Sequence, residues 1–313
     1  MPRRGGGGRP WGHAGWPLWL PAAALAAIGF AAPLAWLGRL SLYESAGSGG
    51  YGLGNAGLYV AGTLTLDNYR ALLADRYVWR IAAFTLELGL VSALASVALA
   101  YPFALVIDRA RGWSQAALLG ATILPKFVNP LVVIAGVEVA LAQDGPVRSL
   151  LVPLGLVGEE TRLAHTFLAV VVGEVVFVLP YAVLILVATF ASVGRSLVAA
   201  ARGLGASPLR AFLEVTLPLS WRGTRAALVL CLVFGLSAFT APFFLGGPEH
   251  YTLSILVHRL VLVNLDWAAG AAAAVEMLGL AVLVVLVASR LAAAPRTGDR
   301  EATVPAPAQR SAA

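Results

Sequence analysis

Glu87, Lys126, Glu138, Glu174 and Glu276 fall within, or at the edge of, long apolar stretches of a 313-residue chain. A charge at mid-bilayer costs about 2.5–3.5 kcal/mol on insertion scales, so such a group faces protein or a wet cavity. Carboxylates placed there can hold a cation in transit, or pair structurally with a cation on another helix. Lys126 is the natural partner for such a pair. Glu138 and Glu174 are the better pathway candidates, because Glu87 and Glu276 also fit an interfacial position. Other chemistry is poorly supplied. His13, His165, His250 and His258 are scattered, which argues against a metal cluster. The single Cys231 reads as a small core residue. Gly235-Leu236-Ser237-Ala238-Phe239 misses the last glycine of a G-x-S-x-G serine site. No G-x-x-x-x-G-K-[ST] is present to cradle nucleotide phosphates. No covalent chemistry, metal or cofactor is expected, and energy must come from another subunit or an ion gradient.

The elements that carry these charges are set by composition. Apolar residues make up 59% of the chain and charged residues 12%, whereas a soluble domain is about 25% charged. One cysteine excludes a disulfide scaffold. The net charge of +6 is dispersed among membrane-length runs and gives no argument for nucleic acid. A bilayer crossing needs about 20 apolar helical residues. Six stretches qualify: 14–38, 81–107, 114–141, 163–190, 226–248 and 268–289. The spacing predicts an all-α, polytopic membrane protein, since the bilayer offers no partner for unpaired backbone groups. The first run is too long for the 7–15-residue core of a cleaved signal, so it is expected to remain as a helix over 16–38.

Orientation follows from the loop arginines. An inside N-terminus puts fourteen of the 22 Lys and Arg residues inside and seven outside, with Lys126 in a span. Both termini are therefore expected in the cytoplasm. Residues 1–15 form an N-terminal tail with a flexible Gly5–Gly8 lead-in. Residues 39–80 form an extracytoplasmic loop, irregular over its Gly-rich part and then helical from about Thr65–Tyr69. Residues 81–290 form the core, and 291–313, rich in Pro, Ala, Arg and Thr, form a disordered tail.

One cytoplasmic loop is too long for a hairpin. It runs from about 191 to 225 and has good helix formers up to Leu204. Gly205 suits a left-handed helix end. Ser207 then suits an N-cap and Pro208 the first helical position. Two short helices with a tight corner are expected, lying on the membrane surface or docking another protein.

This loop resembles the EAA loop of ABC-transporter permeases. That motif reads Glu-Ala-Ala, three residues, Gly, nine residues, then Ile-x-Leu-Pro. Here Ala199, Ala200 and Ala201 precede three residues and Gly205, and nine more lead to Val215-Thr216-Leu217-Pro218. Ala199 stands where the family usually has Glu. Tyr101-Pro102-Phe103-Ala104, Leu124-Pro125, Leu179-Pro180-Tyr181 and Asn264-Leu265-Asp266-Trp267 are similar to segments of the same permeases. Phe239–Pro248 looks like a stretch of the spermidine/putrescine-type branch. The likeness covers about 65–290. It implies a type I importer permease of the bacterial inner membrane, in contact with membrane lipid. A second permease subunit would complete the pathway. Two ATPase subunits would dock on a coupling loop, 195–218, through Ala199, Ala200, Ala201, Arg202, Gly205, Ser207, Pro208, Arg210, Leu217 and Pro218. A solute-binding protein would deliver cargo, and no nucleic acid is involved. Glu138, Glu174, Pro180, Phe239 and Pro242 are the candidates for the substrate pathway. A polyamine-like cation is the best-fitting cargo. An aminophosphonate, ferric iron or thiamine remains open, as does an autonomous ion-coupled transporter.

Overall fold

The computed structural model describes residues 16–45 and 59–292. The expected tails 1–15 and 291–313 lie wholly or almost wholly outside these residues, as does most of the Gly-rich part of the first loop. Among the described residues, six helical segments are long and apolar enough to cross a membrane. Helix α1 (Trp16–Leu40) is followed by a short hairpin, β1 (Tyr43–Glu44) and β2 (Val60–Leu64). Its strands pair antiparallel, Tyr43 opposite Leu64 and Glu44 opposite Val60, with an irregularity between. Helix α2 (Asp67–Ala74) is the amphipathic helix expected near Thr65–Tyr69. Asn68 is buried and donates to the carbonyls of Ser41 (3.1 Å) and Tyr43 (2.7 Å), which clamps the hairpin to α2.

Three long helices make the centre: α3 (Arg76–Arg109), α7 (Phe167–Ser192) and α10 (Leu217–Leu236). Their shared core includes Ala93, Val97, Ala100, Ala104, Val178, Leu186, Ala227 and Cys231. Membrane helices gain little from hydrophobic segregation, so close backbone approach by small residues holds them. Gly89 and Gly235 mark a close backbone crossing of α3 and α10, where a Cβ added to Gly235 would lie 2.7 Å from the Gly89 Cα. Ser92 uses its hydroxyl on its own helix, donating to the Leu88 carbonyl at 2.6 Å. A second core joins α7 to α5 (Pro130–Leu141) and α11 (Thr240–Leu245) through Ile134, Val170, Ala241 and Leu245. Helix α13 (Trp267–Ala292) is the last span and packs on α12 (Leu253–His258). By contrast, the membrane window of α1 buries nothing within the protein.

Two spans differ from the sequence expectation. The third is not one helix over 114–141. It is α4 (Trp113–Ile123), a 3-10 turn at Leu124–Phe127, α5, and then α6 (Pro146–Leu151). Pro125 and Pro130 bracket the break, and Asn129 caps the new start by accepting from the Leu131 amide at 2.9 Å. Asn129-Pro130 is the same start signal as Ser207-Pro208. The fifth span runs over 208–236 and not 226–248. It ends at Leu236, and α11 follows as a separate six-residue helix.

Candidate functional site

The segment 195–218 begins with α8 (Arg195–Gly203). Its end is a Schellman closure: the Ala206 amide bonds the Ala201 carbonyl at 3.1 Å, and the Gly205 amide bonds the Arg202 carbonyl at 3.0 Å. Gly205 has φ +93°, a region where a Cβ is strained. Ser207 accepts from the Arg210 amide at 3.2 Å and Pro208 opens α9 (Pro208–Ala211). The second half of the loop is not an isolated surface helix, as expected from its length. It continues through a π-helical turn, Phe212–Thr216, directly into α10. Pro218 supplies the reason. It has no amide hydrogen to donate, and the ladder is bridged by the wider Leu217-to-Phe212 bond. The corner is thus the foot of a 29-residue helix.

Several loop side chains point away from the bundle. Leu204 is 90% exposed, and Leu209 and Leu197 are also exposed. Arg210 pairs with Glu214 at 2.9 Å, one turn on, in the open. Ala199 and Arg202 line a cleft of about 360 Å³ with Asp108, Arg109, Arg111 and Thr216. The position usually held by Glu therefore shares a cleft with three arginines and Asp108.

The intramembrane candidates separate. Glu174, on α7, is only 5% exposed. It lines a cavity of about 230 Å³ with Ile134, Phe177, Phe234, Phe239 and Thr240. Phe239 is thus brought to Glu174 by the turn between α10 and α11. Glu138 does not line this cavity; it is half exposed on α5, with His165 Nε2 4.0 Å away. Pro180 and Pro242 are buried in α7 and α11, outside the cavity lining. Neither breaks its helix.

Lys126 lies on the 3-10 turn that interrupts the third span. Its ammonium donates to the carbonyl of Phe177 and stands 4.1 Å from the Phe177 ring centroid and 4.3 Å from that of Tyr181. It is close enough to Glu174 for the two charges to interact. A second cavity of about 200 Å³, lined by Lys126, Val133, Phe177 and Tyr181, shares Phe177 with the lining of the first. Phe177, Tyr181 and Phe234 carry no charge and do not stand out among apolar neighbours. The legible signal is spacing: Glu174, Phe177 and Tyr181 follow at three and four residues and share one helix face.

Residues 100–297 match the family model of the binding-protein-dependent transport system inner membrane component. The chain is 31% identical over 236 residues to the spermidine/putrescine transport system permease protein PotB of Escherichia coli K12, covering 74% of this chain and 86% of that one. It is 26% identical over 273 residues to the thiamine transport system permease protein ThiP of Brucella suis, covering 87% of this chain but 47% of ThiP. In fold it is similar to a bacterial ABC transporter that imports alginate, with a TM-score of 0.68, 19% identity, and coverage of 89% of this chain and 95% of that one. The chain belongs to the binding-protein-dependent transport inner membrane component family and is a membrane-spanning permease subunit of an ABC importer.

Proposed function

We propose that this permease carries a polyamine-like cation across the bacterial inner membrane, with both termini in the cytoplasm. Glu174 carries the reading: a carboxylate only 5% exposed, facing a cavity walled by Phe177, Phe234 and Phe239. A buried carboxylate beside ring faces suits an alkylammonium, which gains ion pairing and cation–π attraction together. The likeness to PotB supports the same cargo.

Transport runs by alternating access. A second permease completes the pathway, a solute-binding protein delivers cargo from outside, and ATPase subunits bind and hydrolyse ATP at the cytoplasmic face. The segment 195–218 docks the ATPase through its exposed leucines Leu197, Leu204 and Leu209. Because α9 continues through the π turn into α10, a push on the corner moves a membrane helix directly.

The test is uptake in cells stripped of their own polyamine carriers and supplied with this chain and its partner subunits. Labelled spermidine or putrescine should accumulate, and Glu174→Gln should raise KM strongly. The likeness to ThiP favours thiamine as the second reading. Uptake competed by thiamine and not by spermidine would replace the first reading with the second.

A further inference from the structure

From the surroundings of Lys126 we infer that this residue is a tethered competitor of the cargo. Its side-chain ammonium occupies the aromatic part of the cation site and must be displaced before the cargo's ammonium can bind. The inference rests on the polyamine reading and deepens it.

The geometry has three parts. The ammonium of Lys126 donates to the Phe177 carbonyl and faces the rings of Phe177 and Tyr181 at 4.1 and 4.3 Å from their centroids. These are the contacts that a primary alkylammonium ligand seeks: a carbonyl acceptor and ring faces. Glu174 is near enough to interact electrostatically, yet no contact ion pair joins it to Lys126 among the described residues. The lysine head is therefore held by the carbonyl and the rings and not by the carboxylate. The two cavities, one lined by Lys126 and the other by Glu174, share Phe177 as a wall. An alkyl polyamine entering at Glu174 meets a ring, Phe177, that already carries a lysine.

The position of Lys126 makes displacement feasible. It lies on the four-residue 3-10 turn between α4 and α5, bracketed by Pro125 and Pro130, and not inside a packed helix. Its four-carbon stem can swing the head away without unwinding a span. Without cargo, the lysine shields the buried carboxylate from leaving an uncompensated charge. With cargo, one ammonium of the polyamine takes the place of the lysine ammonium at the rings. The arrangement also filters cargo, because a neutral solute gains nothing by expelling the lysine.

A ligand that must displace an occupant binds more weakly by the fraction of time the site is free. Lys126→Met keeps the apolar stem and removes the ammonium. It should lower the KM for labelled spermidine by about three- to tenfold in the partner-complemented cells. Lys126→Arg should act oppositely, raising KM by a few-fold, because a guanidinium stacks more firmly on rings. The arginine variant retains the charge and so serves if the methionine variant fails to accumulate. A purely structural counter-ion predicts an unchanged KM in the arginine variant and no tightening in the methionine variant, and either result overturns the inference. Absence of polyamine uptake by the unmodified chain overturns the cargo reading, whereas normal uptake with KM indifferent to position 126 overturns the tethered competitor alone.

Discussion

The hydroxyl of Tyr101 on α3 lies 2.6 Å from that of Ser220 in the first turn of α10. Ser220 in turn donates to the Leu217 carbonyl at 3.1 Å, so Tyr101 completes the chain as its donor. The Tyr101 ring meets Phe190 of α7 and Phe212 of the π turn edge-on. One side chain thus fastens the foot of α10 to both neighbouring spans. Tyr101→Phe keeps the ring contacts and loses one hydrogen bond, an expected cost of about 0.5–1.5 kcal/mol. Ser220→Val should cost more, about 1–3 kcal/mol, because it strands the tyrosine hydroxyl against a methyl. Thermal unfolding of the two variants in detergent gives the order, and equal melting points would remove the bond from the account.

Gly205 makes a conformational prediction free of crowding. It sits at φ +93° with open space where a Cβ would go. Gly205→Val therefore fails through the backbone alone, at about 1–3 kcal/mol. Gly205→Asn should be tolerated much better, since asparagine visits this region. Tagged permease should still accumulate in the membrane in the valine variant but lose its co-purifying ATPase. Undiminished ATPase recovery from that variant would remove the corner from the docking surface.

Gly235 makes the complementary prediction, where space and not φ decides. Its Cβ would lie 2.7 Å from the Gly89 Cα and 2.7 Å from Ser92 Oγ. Backbone cannot yield cheaply here, so Gly235→Ala should cost about 1–3 kcal/mol by overpacking. Gly235→Leu should leave little folded protein. Size-exclusion yield in mild detergent reads both, and a normal yield from the leucine variant would mean the crossing is looser than the structure has it.

Ala199 gives a gain-of-function prediction. It lines the cleft that holds Arg109, Arg111 and Arg202 together with Asp108, a net basic setting. Ala199→Glu returns the residue usual in the EAA motif to a basic setting, with a gain of about 0–1 kcal/mol expected for a solvent-reached pair. ATPase co-purification should rise at low salt and return to the parent level at high salt. A salt-independent change would point to altered helix packing in α8.

Hydropathy alone is enough to count six spans here, because the demand of the bilayer for about 20 apolar helical residues is local. The corner at 205–208 is legible for the same reason: a left-handed residue, an N-cap and a proline act within one turn of chain. The break of the third span is also written locally, in Asn129-Pro130, but the surrounding apolar run masks it. The cavity at Glu174 belongs to another category. Glu174 is conspicuous as a charge in an apolar run, whereas Phe177, Phe234 and Phe239 acquire meaning only when α7, α10 and α11 pack around one cavity.

Lys126 shows the limit most clearly. From sequence it reads as the partner of a carboxylate on another helix. Folding places it on Phe177 and Tyr181, 51 residues away along the chain at the carbonyl it contacts. Sequence by itself determined how many helices are long and apolar enough to cross, where the loop turns and which charges fall in apolar runs, since each depends on neighbours within a few turns. Tertiary structure decided which cavity each of those charges lines, how the corner at 205–208 joins α10 through a π turn, and what the lysine touches. Those outcomes depend on how distant helices cross, and crossing is set by close approaches such as Gly89 on Gly235, which no local pattern encodes.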